Sequence, residues 1–277
     1  MKKITLFLAL STMIMATSCK NDKKKEDKMD AETEMKSDES KKMDDKKMEK
    51  KASITLTKLE GSPKFDDASL EMTLPNAMKV PAGEVTFAFD VENYDLAAKT
   101  KTDMDLGLAE SDKGQHVHFI LDNAPYSAHY EDSFSKDLTQ GDHVVLAFLS
   151  RSYHESVKNP NSYVLQKMSV GNPTEDQQLD VDFSAPHMFY SRPKGTYTGD
   201  DTKKVLLDFF LVNTDLTNHK VRATINGQEF MIDEWVPYVM EGLPMGENTI
   251  KLELLDENGE LVKSPFNPVE RTVTLEE

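Results

Sequence analysis

One stretch of the chain alternates apolar and mostly polar residues with a period of two, and a second stretch matches it at a constant offset. Val85-Thr86-Phe87-Ala88-Phe89-Asp90-Val91-Glu92-Asn93 runs on into Tyr94-Asp95-Leu96. From 85 to 205 the offset is 120, and there Val205-Leu206-Leu207-Asp208-Phe209-Phe210-Leu211-Val212-Asn213 runs on into Thr214-Asp215-Leu216. Leu138-Thr139-Gln140-Gly141-Asp142-His143 precedes an apolar run to Leu149, and Leu243-Pro244-Met245-Gly246-Glu247-Asn248 precedes one to Leu255, an offset of 105. Between them, Val117–Asn123 lies opposite Val221–Gly227. The fall in offset places about 15 extra residues in the first copy, within Ala97–Gly114. Period-two runs of Val, Ile, Phe and Leu bounded by Gly, Asn, Asp and Pro predict antiparallel strands with one buried face. Asp256-Glu257-Asn258-Gly259-Glu260 predicts a hairpin turn, because Asn-Gly tolerates positive φ.

Two copies of about 90–110 residues, each with several short strands, match the size of an immunoglobulin-like sandwich. The expected fold class is therefore all-β, with two tandem immunoglobulin-like β-sandwich domains. The first spans 53–185 and carries most of the histidines; the second spans 186–277, with the boundary near Ser184-Ala185-Pro186. On the strand ending at Leu149, Val145, Ala147 and Leu149 should face the core. Val144, Leu146 and Phe148 then form an apolar outer stripe, where the second copy alternates polar residues such as Lys251 and Glu253. Such a stripe calls for a cover. The insertion Ala97–Gly114, with Met104, Leu106 and Leu108, is the first candidate; the second domain or an external partner is the alternative.

The N-terminus follows a different pattern. Met1-Lys2-Lys3 is basic, an apolar run follows from Ile4 to about Ala16, and the run is too short to span a bilayer. It closes on Ala16-Thr17-Ser18-Cys19, which resembles the lipobox of bacterial lipoproteins. Residues 1–18 thus read as a lipoprotein signal peptide, and Cys19, the sole cysteine, as the acylated residue holding the protein to the cell outer membrane. Lys20-Asn21-Asp22 resembles the export signal on surface lipoproteins of Bacteroidetes, and the side of the membrane stays open. Residues 19–52 read as a charged flexible linker: from Lys20 to Lys51 there are 12 lysines and 11 acids, with little to bury apart from methionines. The formal charge of −16 becomes −19 for the remainder once Lys2, Lys3 and the linker's one surplus lysine are set aside. So acidic a body excludes nucleic-acid partners, which require clustered cations.

Five of the seven histidines fall between His116 and His154. Val117, Phe119 and Leu121 read as the core face of one strand, which puts His116 and His118 on the opposite face, about 7 Å apart along the strand. The second copy has Lys220 and Arg222 there, so that face is expected to be solvent-accessible. With His143 and His154 these residues form a candidate copper or zinc site, whose binding should weaken below about pH 6 as imidazoles protonate. The alternative is that they are surface and turn histidines. The order His-x-His, Gly-x-His, His resembles small periplasmic β-domains of unassigned function.

Leu149-Ser150-Arg151-Ser152-Tyr153-His154 resembles the Ser-Arg-x-His signature of forkhead-associated domains, which bind phosphothreonine peptides. It departs from that pattern by one residue between arginine and histidine and lacks the upstream Gly-Arg. From about Leu59 to the end, including Phe189–Gly195 and Leu243–Asn248, the chain resembles a flavobacterial lipoprotein family, some of whose members carry a phosphopeptide-binding label. Ser150, Arg151, Ser191 and Arg192 are accordingly candidate ligand contacts, or equally structural corners in which arginine stacks on an aromatic ring. No nucleophile elbow, His-Glu-x-x-His or phosphate-cradling glycine loop is present, so a binding module with an unknown protein or small-molecule partner is expected in preference to an enzyme.

Overall fold

The structure is a computed structural model that describes residues 53–277; the expected signal peptide, the expected linker and Cys19 lie outside the described residues. Among the described residues seventeen strands, numbered β1 to β17 in chain order, build two sandwiches. In the first, β2 (Ser69–Leu74), β4 (Gly83–Glu92) and β7 (Ser133–Leu138) form one sheet in the order β2-β4-β7. The facing sheet has the order β3-β9-β8-β5-β6, from β3 (Lys79–Val80), β9 (Tyr163–Val170), β8 (Gly141–Ser150), β5 (His116–Leu121) and β6 (Ser127–His129).

The second sandwich repeats this plan strand for strand. Its sheets are β10 (His187–Arg192), β12 (Lys204–Val212) and β15 (Tyr238–Glu241), facing β11 (Thr196–Thr198), β17 (Val269–Glu276), β16 (Gly246–Leu255), β13 (Lys220–Ile225) and β14 (Gln228–Ile232). The short strands β3 and β11 pair parallel with β9 and β17, whereas the other pairings are antiparallel. This is the immunoglobulin-like arrangement, present twice. The β13–β14 hairpin turns on Asn226 and Gly227, both with positive φ, while the turn after β16 uses a positive φ at Gly259 alone within Asp256–Glu260. Among the described residues no helix is long and apolar enough to cross a membrane.

One segment departs from the expected boundaries. β1 (Thr55–Lys58) falls within the expected first domain, 53–185, but it pairs with β15 at the edge of the second sandwich, and Ile54 enters that core. The chain thus contributes a strand to the second sandwich before it builds the first.

Each sandwich has its own core. Phe87, Phe119, Val145, Ala147 and Leu149 belong to the first; Leu207, Phe209, Ile250, Leu252 and Leu254 belong to the second. A third core lies in the seam between the sandwiches, where Ile120, Val144, Leu146 and Phe148 meet Phe189, Phe210, Val212 and Phe266. Phe148 stacks on Phe210 with centroids 4.7 Å apart. The outer stripe of β8 is therefore covered by the second sandwich and not by the insertion. Leu106 and Leu108 of the insertion pack instead with Tyr153, Leu206 and Val239. The connection after β9 is packed too, with Leu179, Val181 and Phe183 lying against the seam.

Candidate metal centre

The register of β5 decides which side chains enter the seam. Val117 and Phe119 point into the first core, so His116 and His118 point the other way. The expectation that they face solvent is incorrect: both are fully buried, because the second sandwich lies over this face. In the second copy the same face of β13 is uncovered, and there Lys220 is exposed and Arg222 half-buried.

His154 reaches the pair from the turn after β8. Its φ of 70° is left-handed, a conformation costly for a side-chain-bearing residue and held only where surroundings enforce it. The enforcement is visible. His154 N–H donates to the Arg151 carbonyl at 2.9 Å, and Arg151 N–H donates to the Glu155 carbonyl at 2.9 Å. The insertion braces the same turn: Ser111 N–H donates to the Ser152 carbonyl at 2.8 Å, and Ser152 N–H donates to Thr100 Oγ1 at 2.9 Å.

Each of the three imidazoles offers a ring nitrogen, and the three nitrogens lie within 4.8 Å of one another. His116 Nε2 and His154 Nδ1 are 3.2 Å apart. Ligands of a tetrahedral ion with bonds of about 2.0 Å stand roughly 3.3 Å apart, so one pair is already at ligating distance. His116 Nδ1–H donates to the Gly114 carbonyl at 2.8 Å, which fixes the tautomer, as in metal-bound histidines, and leaves the Nε2 lone pair facing His154 Nδ1. His118 Nδ1 faces Ser191 Oγ at 3.4 Å, and its Nε2 is buried with no hydrogen-bond partner.

The electrostatics keep these rings neutral. Burial pushes the His116 imidazole down to about 4 and the His154 imidazole down to about 2. Burial likewise takes His118 well below the usual range, with its neighbours His116, His154, Arg192 and Lys194 adding to the effect. Neutral imidazole is the ligating form.

Around the rings stand Arg192, a candidate from the sequence, and two groups that the sequence did not mark, Tyr126 and Lys194. Tyr126 stacks on His118 at 3.5 Å between centroids, and its hydroxyl lies 3.3 Å from His154 Nδ1. Arg192 Nη1 donates to that hydroxyl at 3.0 Å, and Lys194 Nζ lies 3.9 Å from the centroid of the Tyr126 ring. Tyr126 comes from the β5–β6 connection, eight residues after His118, whereas Arg192 and Lys194 are brought in by the second sandwich.

The other candidates fall elsewhere. His143 is outside the cluster; its Nδ1 binds Asp122 Oδ2 at 2.6 Å and its Nε2 faces the Thr139 carbonyl. Although burial opposes it, the Asp122 hydrogen bond raises the His143 pKa. Ser150 is buried, and Arg151 spends its donors on the Pro63 and Ser156 carbonyls and on Glu155 while lying over Phe65. That is the structural corner with a stacked arginine. Ser191 and Arg192, by contrast, come to the histidine cluster.

No family model matches the chain, and no curated protein matches it. Among solved structures, fibronectin(III)-like modules of Clostridium thermocellum CbhA are 12% identical, covering 75% of this chain and 94% of theirs at a TM-score of 0.27. The Bacteroides ovatus mixed-linkage glucan utilization locus protein SGBP-B, solved with a mixed-linkage heptasaccharide, is 12% identical over 75% of this chain and 70% of its own, at a TM-score of 0.23. The two tandem V-type regions of a v-region-containing chitin binding protein are 7% identical over 76% of this chain and 99% of theirs, at a TM-score of 0.21.

Proposed function

We propose that the chain is a membrane-anchored binding protein of the cell envelope, tethered through Cys19, whose folded part holds a copper or zinc ion on His116, His118 and His154. The observation that carries the metal reading is the set of three converging neutral imidazoles, one of them with a buried, unpartnered nitrogen. Histidines that merely filled a seam would leave that nitrogen at a cost of about 1–3 kcal/mol with nothing to offset it. A metal ion supplies the missing partner. The neighbours of the rings are a carbonyl, two hydroxyls and each other, so the arrangement supports holding an ion and includes no carboxylate positioned as a general base.

The test is calorimetry and elemental analysis of the purified full chain, with copper and zinc, alongside His116→Ala/His118→Ala. Binding at micromolar affinity or tighter is expected, and it should disappear in the double variant. Equal uptake by both proteins would remove the reading. In the same cells the protein should pellet with membranes, and Cys19→Ser should release it; a variant that still pellets argues against the anchor.

A further inference from the structure

We infer that the three-histidine centre selects copper(I) over zinc(II), an inference that rests on the metal-binding reading above. The polar partners of the three rings are the Gly114 carbonyl, Ser191 Oγ and the Tyr126 hydroxyl, all uncharged. No Asp or Glu belongs to the cluster among the described residues. Three neutral ligands leave the full charge of a bound ion in place. The charged groups arrayed around it are both positive: Arg192 on the far side of the Tyr126 hydroxyl, and Lys194, whose Nζ lies over the Tyr126 ring and donates to the Tyr126 carbonyl at 2.7 Å.

Two consequences follow from the ion's charge. The cost of burying an ion without counter-charge grows as the square of its charge, so a dication fares far worse than a monocation. Repulsion by Arg192 and Lys194 is twice as strong for a dication as for a monocation at the same point. Zinc(II) also takes a fourth ligand, and the groups at hand, Tyr126 and Ser191, are neutral hydroxyls. Copper(I) carries a single charge and accepts two or three neutral nitrogens, which is what the seam provides. The surroundings of His118 are closed: Tyr126 covers one face of the ring and Phe148 lies against its edge at 5.1 Å.

The full chain should be titrated without oxygen, with copper(I) and with zinc(II), each in competition with a chromophoric chelator. The same titrations on the His116→Ala/His118→Ala/His154→Ala variant subtract binding by Cys19 and the linker methionines. Because that variant buries three voids, His154→Ala alone, at the half-exposed turn, serves as a milder second control. The histidine-dependent affinity for copper(I) is expected to exceed that for zinc(II) by at least about a hundredfold, and Lys194→Gln should narrow the ratio by about tenfold. Histidine-dependent zinc(II) binding as tight as copper(I), or a ratio unmoved by Lys194→Gln, overturns the inference. Absence of histidine-dependent binding for either ion instead overturns the metal reading beneath it.

Discussion

A buried neutral imidazole links the stability of this protein to pH with a definite sign. Unfolded histidines protonate near 6.5, whereas folded His116 and His129 take up a proton only near about 4 and His154 near about 2. Between those values the unfolded chain binds more protons, so the stability of the metal-free protein should fall as pH drops from about 6.5 toward about 4. Above that window these groups contribute no slope. Urea midpoints measured across it should decline less steeply for His116→Gln than for the parent chain; identical slopes would contradict the burial argument. The same depression changes the expectation for metal. Free imidazoles lose their ligand below about pH 6, but protons compete for His116 only near 4, so copper or zinc uptake should persist to about pH 5.

At the scale of the element, the insertion Ala97–Gly114 sets the first copy apart from the second. It braces the turn that carries His154, and its last residue positions His116 through the Gly114 carbonyl. Gly114 has a φ of 89°, and a Cβ there would stand 2.5 Å from the Ala98 carbonyl oxygen, so the strand cannot begin this way with any other residue. Gly227, in the β13–β14 turn, has a φ of 80° with open space around it. Gly227→Ala should therefore cost only the strain of positive φ, about 1 kcal/mol, and leave metal uptake intact. Gly114→Ala should cost about 2–3 kcal/mol and weaken metal uptake as well, because the clash displaces backbone. Thermal unfolding and metal titration of the pair check this; equal behaviour of the two variants would mean that the insertion does not position the site.

The whole molecule is coupled through the seam. Phe210 stacks on Phe148 and also meets Tyr163 at 5.1 Å and Trp235 at 5.2 Å, all in the third core. Buried Asp208 adds a polar lock across it, accepting from Ser156 N–H at 3.1 Å and pairing with Lys158 at 2.5 Å. With β1 also crossing into the second sandwich, neither half can unfold without exposing apolar surface of the other. Denaturation followed by near-ultraviolet circular dichroism should show one transition for both sandwiches, and Phe210→Ala should lower stability by about 3–5 kcal/mol. Two separate transitions in the parent chain would show that the seam does not couple them.

The alternation along the chain was enough to settle much of this. The two-copy β-rich plan, the inward set Val145, Ala147 and Leu149, and the shared face of His116 and His118 all follow from a side-chain period of two, which ties every residue of a strand to one face or the other. The exclusion of His143, by contrast, came from the structure, through the register of β8 on β5. β8 runs antiparallel to β5 with Ser150 opposite His116, so His143 sits at the far end, roughly 23 Å along the strand from Ser150. What alternation does not encode is what lies over a face. The apolar run of β8 showed that both faces of that strand needed cover, but only packing decided that the second sandwich would supply it. That choice buried the histidines, lowered their pKa values, and brought Ser191, Arg192 and Lys194 to them from the second sandwich. The pairing of β1 with β15 was hidden for the same reason: hydrogen bonds between distant strands depend on backbone groups that every residue carries, and no side chain announces the partner.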